Sequence, residues 1–553
     1  MQAATPSGFR DILPTEALAR ERIAGTVREC FATHGYEPVE TPLIEMRGAL
    51  ERGGRIQDSP FQLFDSDGSL LMVRPDLTLP IARLVSTRMR FADGPVRLRY
   101  SAPVVREGST LKGQPRQFTQ LGIELYGAQG SSPETEVVSL LAETFTKLGV
   151  PAWRIVCGSV SPLMSLLDEC VPDADLCESI LSFAHQSDLV SLDELVDGAG
   201  LPDAVARALH AITRASGDAT VIDFIDGLLA DAGVSKAKRG TDELRAFAST
   251  LSDLVESGRI SFDFSIINSF DYYTGVIFKG YSERTTASVA SGGRYDAVLA
   301  NFGCPDVSAC GFALSLERLQ EVLGEQGESG VVTSGVRADE RPLRIAVPKG
   351  SLFGDSVRLL TEAGLPTDEL GDLGRKLIVR DGDYEYVIVR AQDAPAFVAH
   401  GGADCGICGY DSIFEAGHDL IQLIDLGFGG CRFVVAEPTS KAGEADDAYS
   451  WRGTVRVATK YPRITQSYYD RIGQQVDIVT LHGNIELGPI VGMTDRIVDI
   501  TATGTTLAEN NLTIVDDVME CTARFFAGPA AYRIDGRIRA LAGRLADVVA
   551  SKG

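Results

Sequence analysis

The sequence predicts a multidomain protein that combines an α+β part with an α/β part. At 553 residues the chain is longer than one ordinary domain, so two to four domains are expected. From about residue 343, short β-branched runs alternate with helical patterns, which is typical of an α/β fold. Before about residue 322, strand patterns flank a mostly helical stretch over 158–258, which indicates an α+β fold.

The composition argues against several classes of function. The formal net charge of -24 opposes binding to nucleic acid, so we expect no nucleic-acid partner. No apolar run is long enough to span a bilayer, and the first residues lack the basic and apolar segments of a signal peptide. Ten scattered cysteines suggest reduced thiols. We therefore expect a cytoplasmic protein without a membrane partner.

One cysteine pair, Cys405 and Cys408, has the CxxC spacing found in many zinc sites. No second pair and no nearby pair of histidines completes such a site in the sequence. The surrounding run, Ala403–Gly409, is typical of a buried strand, in which cysteine behaves as a small apolar residue. We therefore predict a buried strand and no metal site here.

The start of the chain is predicted to contain a loop over Thr5–Pro14, a helix and an extended segment. A helical pattern covers Glu16–Phe31, and Gly35–Glu45 is predicted to be extended. In the segment Arg74–Pro80, Asp76 and Thr78 are two residues apart, so they would lie on the same side of the chain if the segment is extended.

The most informative strand of the first half covers 117–126. Its apolar residues at 121, 123 and 125 point to one face, and Gln120, Gly122 and Glu124 point to the other. A glycine between two hydrogen-bonding side chains predicts room for a small polar ligand. The alternative is the solvated face of an ordinary sheet.

A linker separates the two halves. The stretch Gly324–Arg341 is rich in glycine, serine and charged residues and has little periodicity. It predicts a first domain over 1–322, a linker over 323–341 and a second domain over 342–553.

Basic residues recur where the predicted strands of the second half end. Lys349 ends the strand at 343–349, Arg390 ends the next, and Lys460 follows the strand at 455–458. Ligands of α/β sheets bind at the carboxyl ends of strands, so these residues predict one cleft for an anionic ligand. For each residue alone, a solvated surface charge is the alternative.

The stretch Asp499–Asn510 predicts a site for a phosphorylated sugar. A short strand leads into Asp499, and Thr506 and Glu509 have the spacing of a capping box that begins a helix. Backbone amides at a helix start bind phosphate, and a carboxylate accepts hydrogen bonds from sugar hydroxyls. An ordinary strand-to-helix turn is the alternative. The loop residues that would serve the phosphate are Thr503, Gly504, Thr505 and Thr506.

Three motifs give the first half a specific resemblance. They are Asp271-Tyr-Tyr-Thr-Gly275, Gly292-Gly-Arg-Tyr-Asp296 and the run Gly311–Leu319. Residues 5–320 thereby resemble the catalytic core of histidyl-tRNA synthetase, which implies a class II synthetase-like antiparallel sheet with helices. The resemblance also implies a histidine pocket formed by Asp76, Thr78, Arg106, Gln120, Glu124, Tyr272 and Tyr273.

The first half departs from the synthetase pattern in one informative way. Asn268 stands where the family has the arginine that activates the amino acid, and no anticodon-binding domain follows Leu319. This combination is similar to the regulatory subunit of short-form ATP phosphoribosyltransferase, which implies that histidine acts as an inhibitor. A working histidyl-tRNA synthetase with an extra domain is the rival interpretation, which Asn268 and the acidic charge oppose.

Residues 342–530 resemble the catalytic subunit of short-form ATP phosphoribosyltransferase. The matching stretches include Arg344–Gly350, Arg375–Ile378 and Gly483–Pro489. The resemblance implies a two-lobed α/β fold like that of periplasmic binding proteins, and a homo-oligomer. It implies that ATP and phosphoribosyl pyrophosphate, carrying Mg²⁺, form phosphoribosyl-ATP and pyrophosphate in the first step of histidine biosynthesis. A protein that binds ligand without chemistry is the rival interpretation.

The resemblance also assigns roles to individual residues. Arg375, Arg390 and Lys349 would act as catalytic cations on the leaving pyrophosphate. The substrate-binding residues would be Asp499, Thr503, Gly504, Thr505, Thr506, Glu486 and Gly350. Three departures, at Ser351, Tyr410 and Thr505, each remove a basic residue that is common in the family and hence a possible phosphate contact.

Overall fold

The computed structural model describes residues 5–54, 61–89, 94–107, 115–128, 133–266, 273–324, 341–371, 374, 376–441, 443–501 and 505–552. The chain divides into two compact units, Met1–Glu340 and Arg341–Gly553. Residues 325–340 of the predicted linker lie outside the described part. No helix of the described residues is both long and apolar enough to cross a membrane.

The first unit is built on one large sheet with helices. Its strands are β1 Glu37–Pro38, β2 Ile44–Met46, β3 Gln62–Phe64, β4 Leu70–Val73, β5 Val96–Val105, β6 Gln117–Tyr126, β7 Arg154–Ser159, β8 Ser216–Gly217, β9 Ile260–Asp263, β10 Val276–Tyr281, β11 Ala290–Arg294 and β12 Ala309–Ser315. The large sheet has the order β1-β5-β6-β12-β11-β10-β7-β9-β8, and β2-β4-β3 form a small separate sheet. The central pairs from β5 to β7 are antiparallel, as the synthetase resemblance implied, whereas β1/β5 and β7/β9 are parallel.

The helices of the first unit include a long first helix and a helical cluster between β7 and β9. They are α1 Pro14–Thr33, α2 Arg47–Leu50, α3 Thr78–Leu84, α4 Pro133–Leu148, α5 Ser161–Cys170, α6 Ala174–His185, α7 Leu189–Gly198, α8 Asp203–Ile212, α9 Thr220–Asp231, α10 Thr241–Thr250, α11 Ser252–Glu256, α12 Asp296–Asn301 and α13 Leu316–Leu323. Leu121, Ile123 and Leu125 of β6 are buried in one core with residues of α1 and α4, which confirms the predicted apolar face.

The segment Arg74–Pro80 is not extended throughout, so the condition for the simple same-side placement of Asp76 and Thr78 is not met. Thr78 is the first residue of α3, and Oδ1 of Asp76 accepts a hydrogen bond from the backbone N–H of Leu79 at 3.1 Å. A carboxylate that satisfies a free amide favours a helix start, and this contact outweighs the extended pattern.

The second unit contains two mixed sheets. Its strands are β13 Leu343–Lys349, β14 Ile378–Asp381, β15 Tyr384–Arg390, β16 Cys405–Gly409, β17 Ile421–Asp425, β18 Cys431–Pro438, β19 Val455–Thr459, β20 Val476–Thr480, β21 Arg496–Thr501, β22 Leu512–Cys521 and β23 Ala523–Ala527. We name the sheet with the order β14-β15-β13-β16-β23-β17 the β13 sheet, and the sheet with the order β20-β19-β21-β18-β22 the β19 sheet. The chain passes between them at 426–430 and again at Thr522.

The helices of the second unit mostly follow strands, as an α/β alternation requires. They are α14 Phe353–Glu362, α15 Ala394–Ala399, α16 Tyr410–Ala416, α17 Glu444–Arg452, α18 Pro462–Arg471, α19 Leu487–Ile490, α20 Thr505–Glu509, α21 Pro529–Ile534 and α22 Gly536–Ala550. Cys405 and Cys408 are buried in β16, which confirms the predicted strand, and burial raises the pKa of both thiols.

Candidate active site and effector pocket

Two basic residues are neighbours at the carboxyl ends of two adjacent strands in the β13 sheet. β13 and β15 are parallel neighbours, and their last residues, Lys349 and Arg390, are register partners. Both residues are exposed. Gly350 follows at once with a φ of 93°, a left-handed conformation that glycine adopts without strain. The chain therefore turns sharply directly after the exposed end of β13.

The β19 sheet contributes a carboxylate pair and a third cation. Lys460 directly follows β19, and Asp499 lies inside β21, two residues before its end. Burial raises the pKa of Asp499, the nearby Glu486 carboxylate raises it further, and Lys460 opposes both. Asp499, Glu486 and Lys460 therefore share one electrostatic environment. Asp499 was predicted at the strand end, and the structure extends the strand past it.

The predicted strand-end cations belong to two sheets, whose carboxyl ends approach each other. The side chain of Gln392, just after β15, lies close enough to the hydroxyl of Tyr461, just after β19, to act on its pKa. Tyr461 is buried and packs edge-on against Phe433, with ring centres 4.7 Å apart. The loops that follow β15 and β19 therefore meet.

Part of the predicted site lies outside the described residues. This holds for Arg375, Thr503 and Gly504, and for the side chains of Thr505 and Thr506. The helix predicted after this loop is confirmed, since α20 spans Thr505–Glu509. The capping contact itself stays a prediction, because it involves the side chain of Thr506.

A buried acid is the centre of the predicted histidine pocket in the first unit. Glu124 of β6 is only 1 % exposed, and the hydroxyl of Tyr295 donates a hydrogen bond to it. Burial raises the pKa of Glu124 to about 8, against hydrogen bonds from Tyr295 and Thr78 that lower it. A Cβ at Gly311, opposite Glu124 on β12, would lie 2.1 Å from the carboxylate, so this position needs glycine.

The pocket gathers most of the predicted residues that the structure describes. Asp76 and Thr78, at the start of α3, both act on the pKa of Glu124, Asp76 by raising it and Thr78 by lowering it. Burial raises the pKa of Tyr273, whose ring lies over Gly293, and Asp76 and Glu124 raise it further.

Gln120 and Arg106 complete the described part of the pocket, and Tyr272 lies outside it together with Asn268. Gln120 is 8 % exposed, and its amide oxygen has no hydrogen-bond partner among the described residues. A buried acceptor without a partner is costly and is therefore expected to meet a ligand donor. Arg106 lies over the ring of Phe118 and donates to the carbonyl oxygen of Pro75 at 2.9 Å, next to Asp76.

The room predicted above Gly122 is occupied by a side chain. A Cβ at Gly122 would lie 2.3 Å from the hydroxyl oxygen of Tyr100, its register partner on β5. The glycine therefore makes space for the Tyr100 phenol, and the polar face of β6 is buried. Sequence reasoning missed Tyr100 and Tyr295 as pocket residues, although Tyr295 lies in the motif Gly292-Gly-Arg-Tyr-Asp296.

Comparisons with known proteins match the two halves separately. A family model for histidyl-tRNA synthetase matches residues 8–319, and a family model for ATP phosphoribosyltransferase matches residues 390–547. The ATP phosphoribosyltransferase of Rubrobacter xylanophilus is 46% identical over 194 residues, which cover 35% of this chain and 90% of that protein. The ATP phosphoribosyltransferase regulatory subunit of the same organism is 33% identical over 384 residues, which cover 68% of this chain and 89% of that protein.

Solved structures resemble the synthetase-like part. A Bacillus halodurans protein, described as an ATP phosphoribosyltransferase regulatory subunit/histidyl-tRNA synthetase, has a TM-score of 0.54 at 25% identity and covers 70% of this chain and 99% of its own. A histidine–tRNA ligase subunit from Alicyclobacillus acidocaldarius has a TM-score of 0.50 at 29% identity and covers 59% of this chain and 98% of its own. These matches agree with the predicted class II synthetase fold.

The matched regions define a pentosyltransferase joined to a class II synthetase-like module. The chain belongs to the ATP phosphoribosyltransferase family and carries the catalytic and regulatory regions in one polypeptide, which confirms the predicted fusion. Its reaction condenses ATP and phosphoribosyl pyrophosphate to phosphoribosyl-ATP and pyrophosphate, the first step of histidine biosynthesis.

Proposed function

We propose that phosphoribosyl pyrophosphate binds across the two sheets of the second unit. The observation that carries this proposal is the register pair of Lys349 and Arg390, two exposed cations at neighbouring strand ends. With Arg375, they would hold the pyrophosphate. The contact between the loops after β15 and β19 supports a single ligand that reaches both sheets.

The ribose end of the substrate is assigned to the β19 sheet. Asp499 and Glu486 supply neighbouring carboxylates that accept hydrogen bonds from ribose hydroxyls. Gly350 lets the backbone approach the substrate beside Lys349. The loop Thr503, Gly504, Thr505 and Thr506 is proposed to bind the 5′-phosphate, as the sequence predicts.

The reaction needs charge placement more than proton transfer. N1 of the adenine of ATP attacks C1 of the ribose, the bond from C1 to the pyrophosphate oxygen breaks, and the leaving group takes the electron pair. Negative charge therefore grows on the pyrophosphate, where Lys349 and Arg390 stabilise it more strongly in the transition state than in the ground state. Holding the two substrates in line for the attack supplies the rest of the rate acceleration.

Mg²⁺ is proposed to enter on the pyrophosphate as part of the substrate. This ion is usually held by one or two carboxylates together with substrate phosphates. Asp499 and Glu486 offer such oxygens beside Lys460, so the donor set fits. The ion would supply further neutralisation of the leaving group.

Histidine is proposed to bind the pocket around Glu124 and to inhibit the transferase. The pocket contains a buried carboxylate and Asp76 for the ammonium group of the amino acid. Gln120, whose buried amide oxygen lacks a described partner, would contact the imidazole. Thr78, Arg106, Tyr272 and Tyr273 would complete the site.

The assembly and location of the chain are proposed by analogy with its family. We propose a homo-oligomeric, cytoplasmic enzyme in which a linker over 323–341 joins a regulatory domain over 1–322 to a catalytic domain over 342–553. The two sheets of the catalytic domain would be the two lobes of a fold like that of periplasmic binding proteins, a proposal that their two connecting passages support.

The proposed catalytic role is tested with Arg390→Ala in the full chain. Loss of a cation aimed at developing charge costs about 100-fold or more in turnover, whereas ATP binding is expected to change little. The readouts are the ultraviolet change on formation of phosphoribosyl-ATP and calorimetry with ATP. Arg358→Ala, an exposed residue of α14, is the control. An unchanged kcat in Arg390→Ala would remove this residue from the mechanism.

A further inference from the structure

Glu415 of α16, the helix that follows β16 of the β13 sheet, caps α18, the helix that follows β19 of the β19 sheet. α18 begins with Pro462, and the preceding Tyr461 makes no side-chain cap. The first free amides of a helix need acceptors, and Glu415 of α16 provides them. Its carboxylate accepts hydrogen bonds from the backbone N–H groups of Arg463 and Ile464, each at 3.1 Å. The negative charge also interacts favourably with the helix dipole.

The side chain of Arg463 also packs closely against the end of α16. α16 follows β16 directly and ends at Ala416, and Gly417 after it has a φ of 56°. A Cβ at Gly417 would lie 2.0 Å from Nη1 of Arg463, so the guanidinium lies against the end of α16. The ends of the two helices therefore hold each other at a fixed distance.

The capped helix α18 begins close to the end of β19. β19 ends at Thr459, and only Lys460 and Tyr461 separate it from α18. We name this two-residue connection the Lys460 corner. Asp411, one turn before Glu415 on α16, is buried. Burial raises its pKa, and the charge of Lys460 lowers it. α16 therefore contacts the start of α18 through Glu415, and its Asp411 interacts electrostatically with Lys460.

We propose that Glu415 is a positioning residue of the transferase, which holds the Lys460 corner of the β19 sheet against the β13 sheet. This inference rests on the proposed binding of phosphoribosyl pyrophosphate across both sheets. A ligand that bridges two sheets binds tightly only when their separation is fixed before binding. Glu415 contacts no substrate in this proposal and acts through α18.

The test compares steady-state kinetics of the full chain in four forms: wild type, Glu415→Ala, Glu415→Gln and the control Asp470→Ala. Asp470 is an exposed carboxylate of the same helix that bonds only to Gln466 among the contacts described for it. Loss of a helix cap costs a free energy that corresponds to about a tenfold change in an equilibrium constant. For Glu415→Ala we expect kcat/KM for phosphoribosyl pyrophosphate to fall about tenfold, mainly through KM. Glu415→Gln keeps the acceptor and loses the charge, so we expect about a threefold fall.

Each outcome decides the proposal. Wild-type kinetics in Glu415→Ala, or equal losses in Glu415→Ala and Asp470→Ala, overturn it. A fall in kcat with an unchanged KM also overturns it, because that pattern does not come from weaker bridging. If Glu415→Ala does not fold, wild-type KM in Glu415→Gln overturns the proposal and a raised KM supports it. Failure of the substrate placement itself would show separately, as full activity in Arg390→Ala.

Discussion

At the scale of single residues, Glu124 shows how burial can prepare a carboxylate for a cationic ligand. Burial raises its pKa to about 8, because it disfavours the ionised form of the carboxyl group. The Tyr295 hydroxyl donates to it, and Asp76 lies near enough to raise its pKa. An ammonium group that enters the pocket would favour the ionised form, and the two would then form a charge-assisted hydrogen bond.

This arrangement predicts that Glu124→Ala weakens inhibition by histidine. A charge-assisted hydrogen bond contributes about 1.5–3 kcal/mol, so the inhibitory concentration should rise by roughly ten- to a hundredfold. Uninhibited turnover should stay near that of the wild type. Histidine titrations of the steady-state rate measure both, and Glu124→Gln, which keeps the shape of the side chain, should behave similarly.

The control for this experiment is Glu29→Ala, which removes an exposed carboxylate of α1. It should leave the inhibition unchanged. If Glu124→Ala is inhibited at the same histidine concentration as Glu29→Ala, histidine does not bind at Glu124.

At the scale of elements, the glycines of the large sheet fit individual side chains of neighbouring strands. Gly122 of β6 faces the Tyr100 phenol of β5, and Gly311 of β12 faces the Glu124 carboxylate. The polar face of β6 is thus enclosed by its neighbours.

We predict that Gly122→Ala destabilises the first unit. The new methyl group would overlap the Tyr100 ring and the carbonyl oxygen of Phe312, at 2.4 Å each. Overpacking of this kind typically costs about 1–3 kcal/mol. Thermal unfolding measures the loss against Gly227→Ala, a helical glycine of α9 with open space around its Cβ position, which should be neutral or slightly stabilising. Equal melting temperatures for the two variants would contradict the packing described for Tyr100.

A second element contact predicts a pH dependence of stability. His210 of α8 contacts two carboxylates of α7, with 2.6 Å from Nδ1 to Asp193 and 3.0 Å from Nε2 to Asp197. The hydrogen bond to Asp193 is the largest cause that raises the pKa of His210. Its stabilisation is therefore fully present below the unfolded pKa of about 6.5 and is lost as the pH rises through the folded value.

The measurement is the melting temperature at about pH 5.5 and about pH 9, on either side of the histidine transition. The melting temperature of His210→Gln should fall less between these two pH values than the melting temperature of the wild type. His185→Gln, at an exposed position of α6, is the control and should keep the wild-type difference. The link between α7 and α8 is disproved as a source of stability if both variants behave alike.

The sequence predicted the direction of side chains within a strand better than the contacts between neighbouring strands. Alternation placed Gln120, Gly122 and Glu124 on one face of β6, because side-chain direction is a local property of a strand. It did not reveal Tyr100 above Gly122, because that contact depends on the register between β5 and β6. The ends of β13 and β15 were predicted together, but the membership of β19 and β21 in a second sheet depends on long-range pairing.

At the scale of the whole molecule, one chain joins two activities that its relatives carry on separate polypeptides. The Rubrobacter xylanophilus transferase matches over 35% of this chain, and the regulatory subunit of that organism matches over 68%. The chain also forms two compact units, Met1–Glu340 and Arg341–Gly553. The regulatory proposal requires histidine to favour a less active state of the second unit, since a ligand that binds both states equally shifts nothing.

The most direct test of this account is a histidine titration of transferase activity in the intact chain and in the fragment Arg341–Gly553. ATP and phosphoribosyl pyrophosphate are supplied to both, and formation of phosphoribosyl-ATP is followed in the ultraviolet. We expect histidine to inhibit the intact chain and to leave the fragment at its own uninhibited rate. Equal inhibition of both forms would place the histidine site in the second unit and contradict the account.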